Sequence, residues 1–245
     1  MEHTIETAKP LALQGALNVR DLGGYPAAGG AVTRKGAFLR GDGLGSLTAE
    51  DCRLLVDYGV TCVVDLRAQR ECREQPDAIH GYPGVAYHNV CMLDQLNSRD
   101  FADQLPDTMG EVYLSLMDDS GPAMAQVMEL LAANEGCSLF HCTAGKDRTG
   151  VVAMLLLDLA GVPRDVIVAD YAVTEVHIAP LTERQTKHLR AMGVPVREHL
   201  FRSQPQDISR AYDHLLARYG HAEQYLAHIG CAPQVIEALK RKLLG

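Results

Sequence analysis

The chain has 245 residues, of which 47% are hydrophobic, and a formal net charge of −8. That length and apolar content can bury a full core, and no Pro/Ser-rich linker divides the chain, so a single domain over 1–245 is expected. The acidic balance argues against a general nucleic-acid surface, and any positive potential that draws an anion must be local.

In chain order, the N-terminus gives no basic segment followed by a long apolar run. Neither a signal peptide nor an integral membrane helix is expected; the cytoplasm is the expected compartment, with leaderless secretion as the alternative. Thr48 with Asp51 predicts a capped helix over 49–58, Gly59 a helix end, and 60–66 a buried strand. A strand-like run covers 85–90. Pro122 starts a predicted helix to 133, residues 138–141 read as a buried strand and 151–160 as a buried helix, which Gly161 and Pro163 stop. Beyond it the pattern is helical, over 165–175, 181–192, 208–219 and 233–244. The order of elements gives an α/β fold, with a central mostly parallel sheet flanked by helices and a helical C-terminal region.

Between the strand at 138–141 and the helix behind it lies His141-Cys-Thr-Ala-Gly-Lys-Asp-Arg-Thr-Gly150. A short turn from a buried strand into a helix aims successive backbone N–H groups at one point, where an anion belongs. A thiol there feels the helix N-terminus, Lys146 and Arg148, so its pKa should fall from about 8.5 toward roughly 4 to 6. Cys142 is therefore the candidate nucleophile. Arg148 offers a planar guanidinium that can donate two parallel hydrogen bonds to phosphoryl oxygens. Thr143, Ala144, Gly145, Lys146, Thr149 and Gly150 complete the expected substrate-binding loop, with the Thr149 hydroxyl near the sulfur when it leaves phosphorus. The bland alternative is an ordinary strand-to-helix turn with a buried thiol, but Cys, Gly, Lys, Arg and Thr in register outweigh it.

Seven cysteines, at 52, 62, 72, 91, 137, 142 and 231, form no Cys-x-x-Cys pair, and the ten histidines show no His-Glu-x-x-His spacing. Reduced thiols, no metal and no cofactor are expected.

Cys-x5-Arg followed by Thr is the signature of the cysteine-dependent tyrosine phosphatases, and Cys142-Thr-Ala-Gly-Lys-Asp-Arg148 is narrower. It resembles the bacterial tyrosine/lipid phosphatases of the mycobacterial phosphatase B kind. Further strings in order carry the resemblance: Asn18-Val-Arg20-Asp21-Leu-Gly23-Gly24-Tyr25, Phe38-Leu-Arg40-Gly-Asp42, Asp65-Leu-Arg67 with Glu71, and Asp165 to Tyr171. The resemblance implies a tyrosine phosphatase-like fold, a cysteinyl-phosphate intermediate, no metal, and activity that extends from phosphotyrosine to phosphoserine, phosphothreonine and phosphoinositides. It also implies a helical lid, here at about 178–201, with Leu181, Leu189, Met192 and Val196 as its apolar underside; permanent docking of these residues on the domain is the favoured reading, as for most amphipathic helices.

The chain contains no tryptophan, so a Trp-Pro-Asp acid loop is excluded. Asp147 is the first candidate for the general acid, as the resemblance implies, with an ion pair to Arg148 as its competing role. Asp94 is the fallback. Asp65 with Arg67 either faces the ligand crevice or fixes neighbouring loops. Arg20, with Asp21, Gly23 and Gly24, is expected at the pocket rim. Arg184, Lys187 and Arg190 are read as a solvated helix face, and Lys240 to Lys242 as complements to a helix dipole. The expected partners are a phosphorylated protein or a phosphoinositide, with no nucleic acid; the oligomeric state is not encoded in any pattern. A phosphate-binding module without turnover would lack the thiol or the arginine, and rhodanese-like sulfur transfer uses a loop one residue shorter.

Overall fold

The computed structural model describes residues 7–92, 108–193, 196 and 198–245. Its sheet comprises β1 (Arg20–Asp21), β2 (Phe38–Gly41), β3 (Val60–Asp65), β4 (Ala86–Asn89) and β5 (Cys137–His141), in the spatial order β1-β2-β5-β3-β4. β1 pairs antiparallel with β2, and the other neighbours are parallel. All five residues of β5 and all but Thr61 of β3 are buried. Continuous apolar strands of this kind are what a parallel sheet covered on both faces requires. Leu139 points to a smaller cluster with Val19, Leu39, Leu55 and Val63, whereas Phe140 and Cys142 belong to the main core, which reaches from Ala8 to Leu243. Because β5 lies between β2 and β3, the chain leaves it at the crevice formed by three carboxyl ends, where open α/β sheets hold their ligands.

Helix α1 (Ala49–Asp57) has the expected capping box: Asp51 N–H donates to Thr48 Oγ1 at 3.1 Å and Thr48 N–H to Asp51 Oδ2 at 2.9 Å. Gly59, at φ 107°, turns the chain into β3. The short α2 (Gln69–Glu74) follows β3, and α3 (Met109–Asp119) and α4 (Gly121–Ala133) precede β5. No element was expected over α3, although its buried Met109, Val112, Tyr113, Leu116 and Met117 repeat at helical spacing. Behind β5, α5 (Asp147–Leu159) is buried at every position from Arg148 onward, as a core helix must be. It starts four residues before the expected 151, so Asp147, Arg148 and Thr149 belong to its first turn.

The single helix expected over 165–175 is divided into α6 (Arg164–Ala172) and α7 (Thr174–His177). The Asp170 carbonyl receives Arg20 Nη2 at 2.8 Å, and Thr174 Oγ1 receives the same nitrogen at 3.0 Å, which interrupts the helical ladder at that turn. Then come α8 (Ala179–Ala191), α9 (Pro205–Arg218), α10 (Ala222–His228) and α11 (Pro233–Leu244). Among the described residues no helix is long and apolar enough to cross a membrane. Lys242 does not serve its own helix dipole. Its Nζ is turned inward and donates to Leu131 O, Asn134 O and Ser138 Oγ, tying the end of α4 to β5. Burial brings its pKa down to about 8.

Candidate active site

The turn from β5 into α5 runs over residues 142–146, and each of its first four carbonyls has a partner outside the turn or behind it. Cys142 O lies 3.2 Å from His141 Nδ1, Thr143 O accepts from Gly43 N–H at 3.0 Å, and Ala144 O accepts from Asn18 Nδ2 at 3.1 Å. Gly145 O accepts from Arg40 Nη2 at 2.8 Å and from Asn18 Nδ2 at 3.3 Å. In a planar trans peptide the C=O and the following N–H point in opposite directions. With the carbonyls held outward, the N–H groups of 143–146 face the hollow, and none has an acceptor among the described residues. Gly145 makes this path possible: its φ is 66°, and a Cβ there would lie 2.5 Å from Gly41 O.

Cys142 stands on the floor of that hollow, 2% exposed. Burial raises its pKa, but the Arg148 charge and the hydroxyl and N–H of Thr149 more than compensate, and the thiol titrates below its ordinary range. Thr149 Oγ1 is buried and makes no hydrogen bond of normal geometry among the described residues, which keeps it available to the sulfur. Arg148 is clamped from outside by Glu71, with Nη1 donating to Oε2 at 2.6 Å and Nη2 to Oε1 at 3.0 Å. Its Nε–H has no acceptor among the described residues and is free for an anion. Burial opposes ionisation of Glu71, yet the Arg148 guanidinium outweighs it and holds the carboxyl at about 2. Glu71 also accepts from the Thr143 hydroxyl and from Ala68 N–H, so α2 fixes the clamp. It lay within the resembling strings, but no local pattern gave it a role.

Asp147 is not paired with Arg148. Its Oδ1 accepts from Tyr113 Oη at 2.6 Å and lies 3.3 Å from Lys146 Nζ, and its Oδ2 has no partner among the described residues. Tyr113 has one proton and gives it to Asp147, so the Tyr171 hydroxyl, 2.5 Å away, donates to Tyr113. The two buried tyrosines thus hold the carboxylate at the mouth with one oxygen free. Asp94 falls outside the described residues. Lys146 Nζ, expected to face substrate, instead donates to Leu200 O and Arg202 O, which places residues 198–202 against the loop.

Asp65 does not face the crevice. It binds Arg67 through both carboxylate oxygens at 2.8 and 2.9 Å, and Arg67 reaches on to Asp77 at 2.7 Å. Asp77 in turn lies 3.1 Å from His141 Nε2, so this group stands behind the nucleophile. Asp65, Asp77 and His141 bring three metal-ligating atoms within 4.8 Å, but Arg67 already donates to both carboxylates and the Tyr87 hydroxyl lies 2.7 Å from each. Such a charge-compensated, fully engaged set is a poor cation site. Arg20 is not at the rim either: it is completely buried, with Nε on Asp170 Oδ1 at 3.0 Å.

A cleft of about 1190 Å³ reaches the loop at Thr143 and is walled on one side by Arg184 and Lys187 of α8. It does not reach the Cys142 sulfur, which lies deeper. No residue of α8 is buried, and Met192, expected on its underside, is 56% exposed.

A thiol of lowered pKa under four free amides, beside a guanidinium held by a carboxylate, is the arrangement that a cysteine-dependent phosphatase requires. The family model described as the tyrosine phosphatase family matches residues 11–245. The chain is 35% identical over 223 residues to a tyrosine-protein phosphatase of Nostoc commune, covering 84% of this chain and 74% of that protein. It is 33% identical over 189 residues to the triple specificity protein phosphatase PtpB of Mycobacterium tuberculosis, covering 65% and 67%. The chain belongs to the tyrosine phosphatase family and is a phosphatase enzyme of the cysteinyl-phosphate type.

Proposed function

We propose that this chain hydrolyses phosphotyrosine in proteins and, beyond it, phosphoserine, phosphothreonine and phosphoinositides. Cys142 thiolate attacks phosphorus while Arg148 and the amides of 143–146 hold the non-bridging oxygens. As the bond to the leaving oxygen breaks, Asp147 gives that oxygen its proton. Water then attacks the cysteinyl-phosphate, Asp147 takes a proton from it, and the sulfur leaves as thiolate beside Thr149. No metal or cofactor enters this scheme. The whole chain acts as one catalytic domain in the cytoplasm, with 178–201 as a cover for the mouth and no role for nucleic acid.

The observation that carries this reading is the ring of unpaired amides above a thiol of lowered pKa. Replacement of Cys142 by Ser is expected to remove turnover of phosphotyrosyl peptide and p-nitrophenyl phosphate by at least about 10⁴-fold. Iodoacetate should alkylate the wild-type thiol at pH 6 faster than free cysteine. A Cys142→Ser enzyme that keeps its activity, or a thiol no more reactive than free cysteine, removes the nucleophile. A panel of phosphotyrosyl peptide, phosphoseryl peptide and phosphoinositide vesicles ranks the substrates.

A further inference from the structure

Three segments far apart in sequence, 18–25, 40–42 and 170–177, meet beneath the loop, and what they contact there is its backbone. Asp170 Oδ1 accepts from Arg20 Nε at 3.0 Å and from Tyr25 Oη at 2.8 Å, and its Oδ2 accepts from Arg40 Nη1. Arg20 Nη1 donates to the Asn18 side-chain oxygen, which also lies 3.0 Å from His177 Nδ1. Asn18 itself is fixed through its N–H, which donates to Asp42 Oδ1 at 2.9 Å. Asn18, Arg20 and Arg40 are completely buried and Asp170 is 1% exposed.

Stability does not account for such a cluster. Two guanidiniums share one carboxylate, and apolar residues of similar volume commonly serve a fold as well or better than a buried ionic triad. Arg40 Nε is buried without a partner, a further cost. What the cluster does reach is loop backbone: Arg40 Nη2 and Asn18 Nδ2 take the carbonyls of Gly145 and Ala144. Through the peptide plane, a fixed Gly145 carbonyl aims the Lys146 amide, and a fixed Ala144 carbonyl aims the Gly145 amide. The first turn of α5 also packs here, since a Cβ on Gly150 would lie 3.7 Å from Arg40 Nη2.

We propose that Arg40, oriented by Asp170, is a positioning residue for phosphoryl transfer: it holds the Gly145 carbonyl outward from below, so that the loop amides are aimed before substrate arrives. This rests on the phosphatase reading of Cys142. Asn18 acts alongside it on Ala144, and Arg20 sets Asn18 through its side-chain oxygen. Donors aimed in advance at developing charge are worth most in the transition state, so the effect belongs in kcat and in the affinity for transition-state analogues.

The test compares wild type, Arg40→Met and Arg40→Lys. For Arg40→Met, kcat on p-nitrophenyl phosphate is expected to fall about 100-fold, with orthovanadate affinity falling in parallel and KM changing little. Arg40→Lys keeps the charge but can reach the carboxylate or the carbonyl, not both, and should recover part of the loss. An Arg40→Met enzyme with wild-type kcat and orthovanadate affinity overturns the proposal, as does a kcat that returns to wild type once corrected for the fraction folded. If Arg40→Met does not fold, Arg40→Lys decides: wild-type kcat and orthovanadate affinity in that variant overturn it too. Failure of the phosphatase reading looks different, since Cys142→Ser would then leave turnover intact. In that event calorimetric orthovanadate binding still tests Arg40 as organiser of the anion site.

Discussion

Beneath the signature loop, Asn18, Arg20, Arg40 and Asp170 are each no more than 1% exposed, and Asn18 and Arg40 hold loop carbonyls; above it, α8 buries none of its residues. At the mouth, Arg184 and Lys187 have no acidic partner among the described residues, and Asp147 keeps one carboxylate oxygen free. The floor is held by contacts to each of four loop carbonyls, whereas α8 at the mouth has few contacts to lose. A site built this way fixes the geometry of phosphoryl transfer while leaving the identity of the leaving group open.

The sharpest test of that division lies at Asp147, whose Oδ1 is held by the buried Tyr113 while its Oδ2 stays free at the mouth. Asp147→Asn is expected to slow an alkyl phosphate by about 10³-fold but p-nitrophenyl phosphate by less than about tenfold, because nitrophenolate leaves without a proton. Because the Asp147 charge pushes the Cys142 thiol up, the midpoint of Cys142 alkylation should move down in this variant. Equal losses on both substrates would give Asp147 a loop-orienting role and blur the two regions.

Hydrogen exchange reads the same contrast without substitution. Amides of α8 should exchange at least about 100-fold faster than those of β5, and orthovanadate should slow α8 while leaving β5 unchanged. Equal protection of α8 with and without the anion removes the lid at 178–201.

Glu71 joins the two regions, since it reaches from α2 to the outer edge of Arg148. Glu71→Gln keeps the shape but loosens the guanidinium, and kcat/KM should fall about tenfold. Its carboxyl is held at about 2 against an ordinary 4.5, so the ionised form stabilises the fold. That contribution is complete above the unfolded value and is lost as pH falls toward 2. In urea unfolding, the advantage of wild type over Glu71→Gln should shrink by about 1 kcal/mol between pH 6 and pH 3, solvent screening at this partly exposed group limiting the effect. A constant difference would mean that the ion pair contributes nothing to stability.

Much of the fold was legible because strand and helix periods are local. The buried strands around Cys142 and Val63, the capped helix after Thr48 and the helical C-terminal region all follow from patterns of a few residues. The Cys142-to-Arg148 spacing marked the candidate reaction centre for the same reason: thiol, cradle and guanidinium lie on one turn. The start of α5 at Asp147 escaped, since a polar first turn gives no apolar period to read. α3 escaped although its period was present.

The sequence by itself therefore determined the sheet class, and it singled out the candidate nucleophile with its loop. Only the tertiary structure decided which charged side chains serve that loop. Arg148 finds Glu71 across 77 positions and Arg20 finds Asp170 across 150, while Lys242 turns inward to Ser138 across 104. A buried charge must meet its partner to be tolerated, but nothing in local periodicity says which of 31 acidic residues that partner is. Chain topology makes that choice, by bringing the ends of β2 and β5 and the turn between α6 and α7 to one place under the thiol.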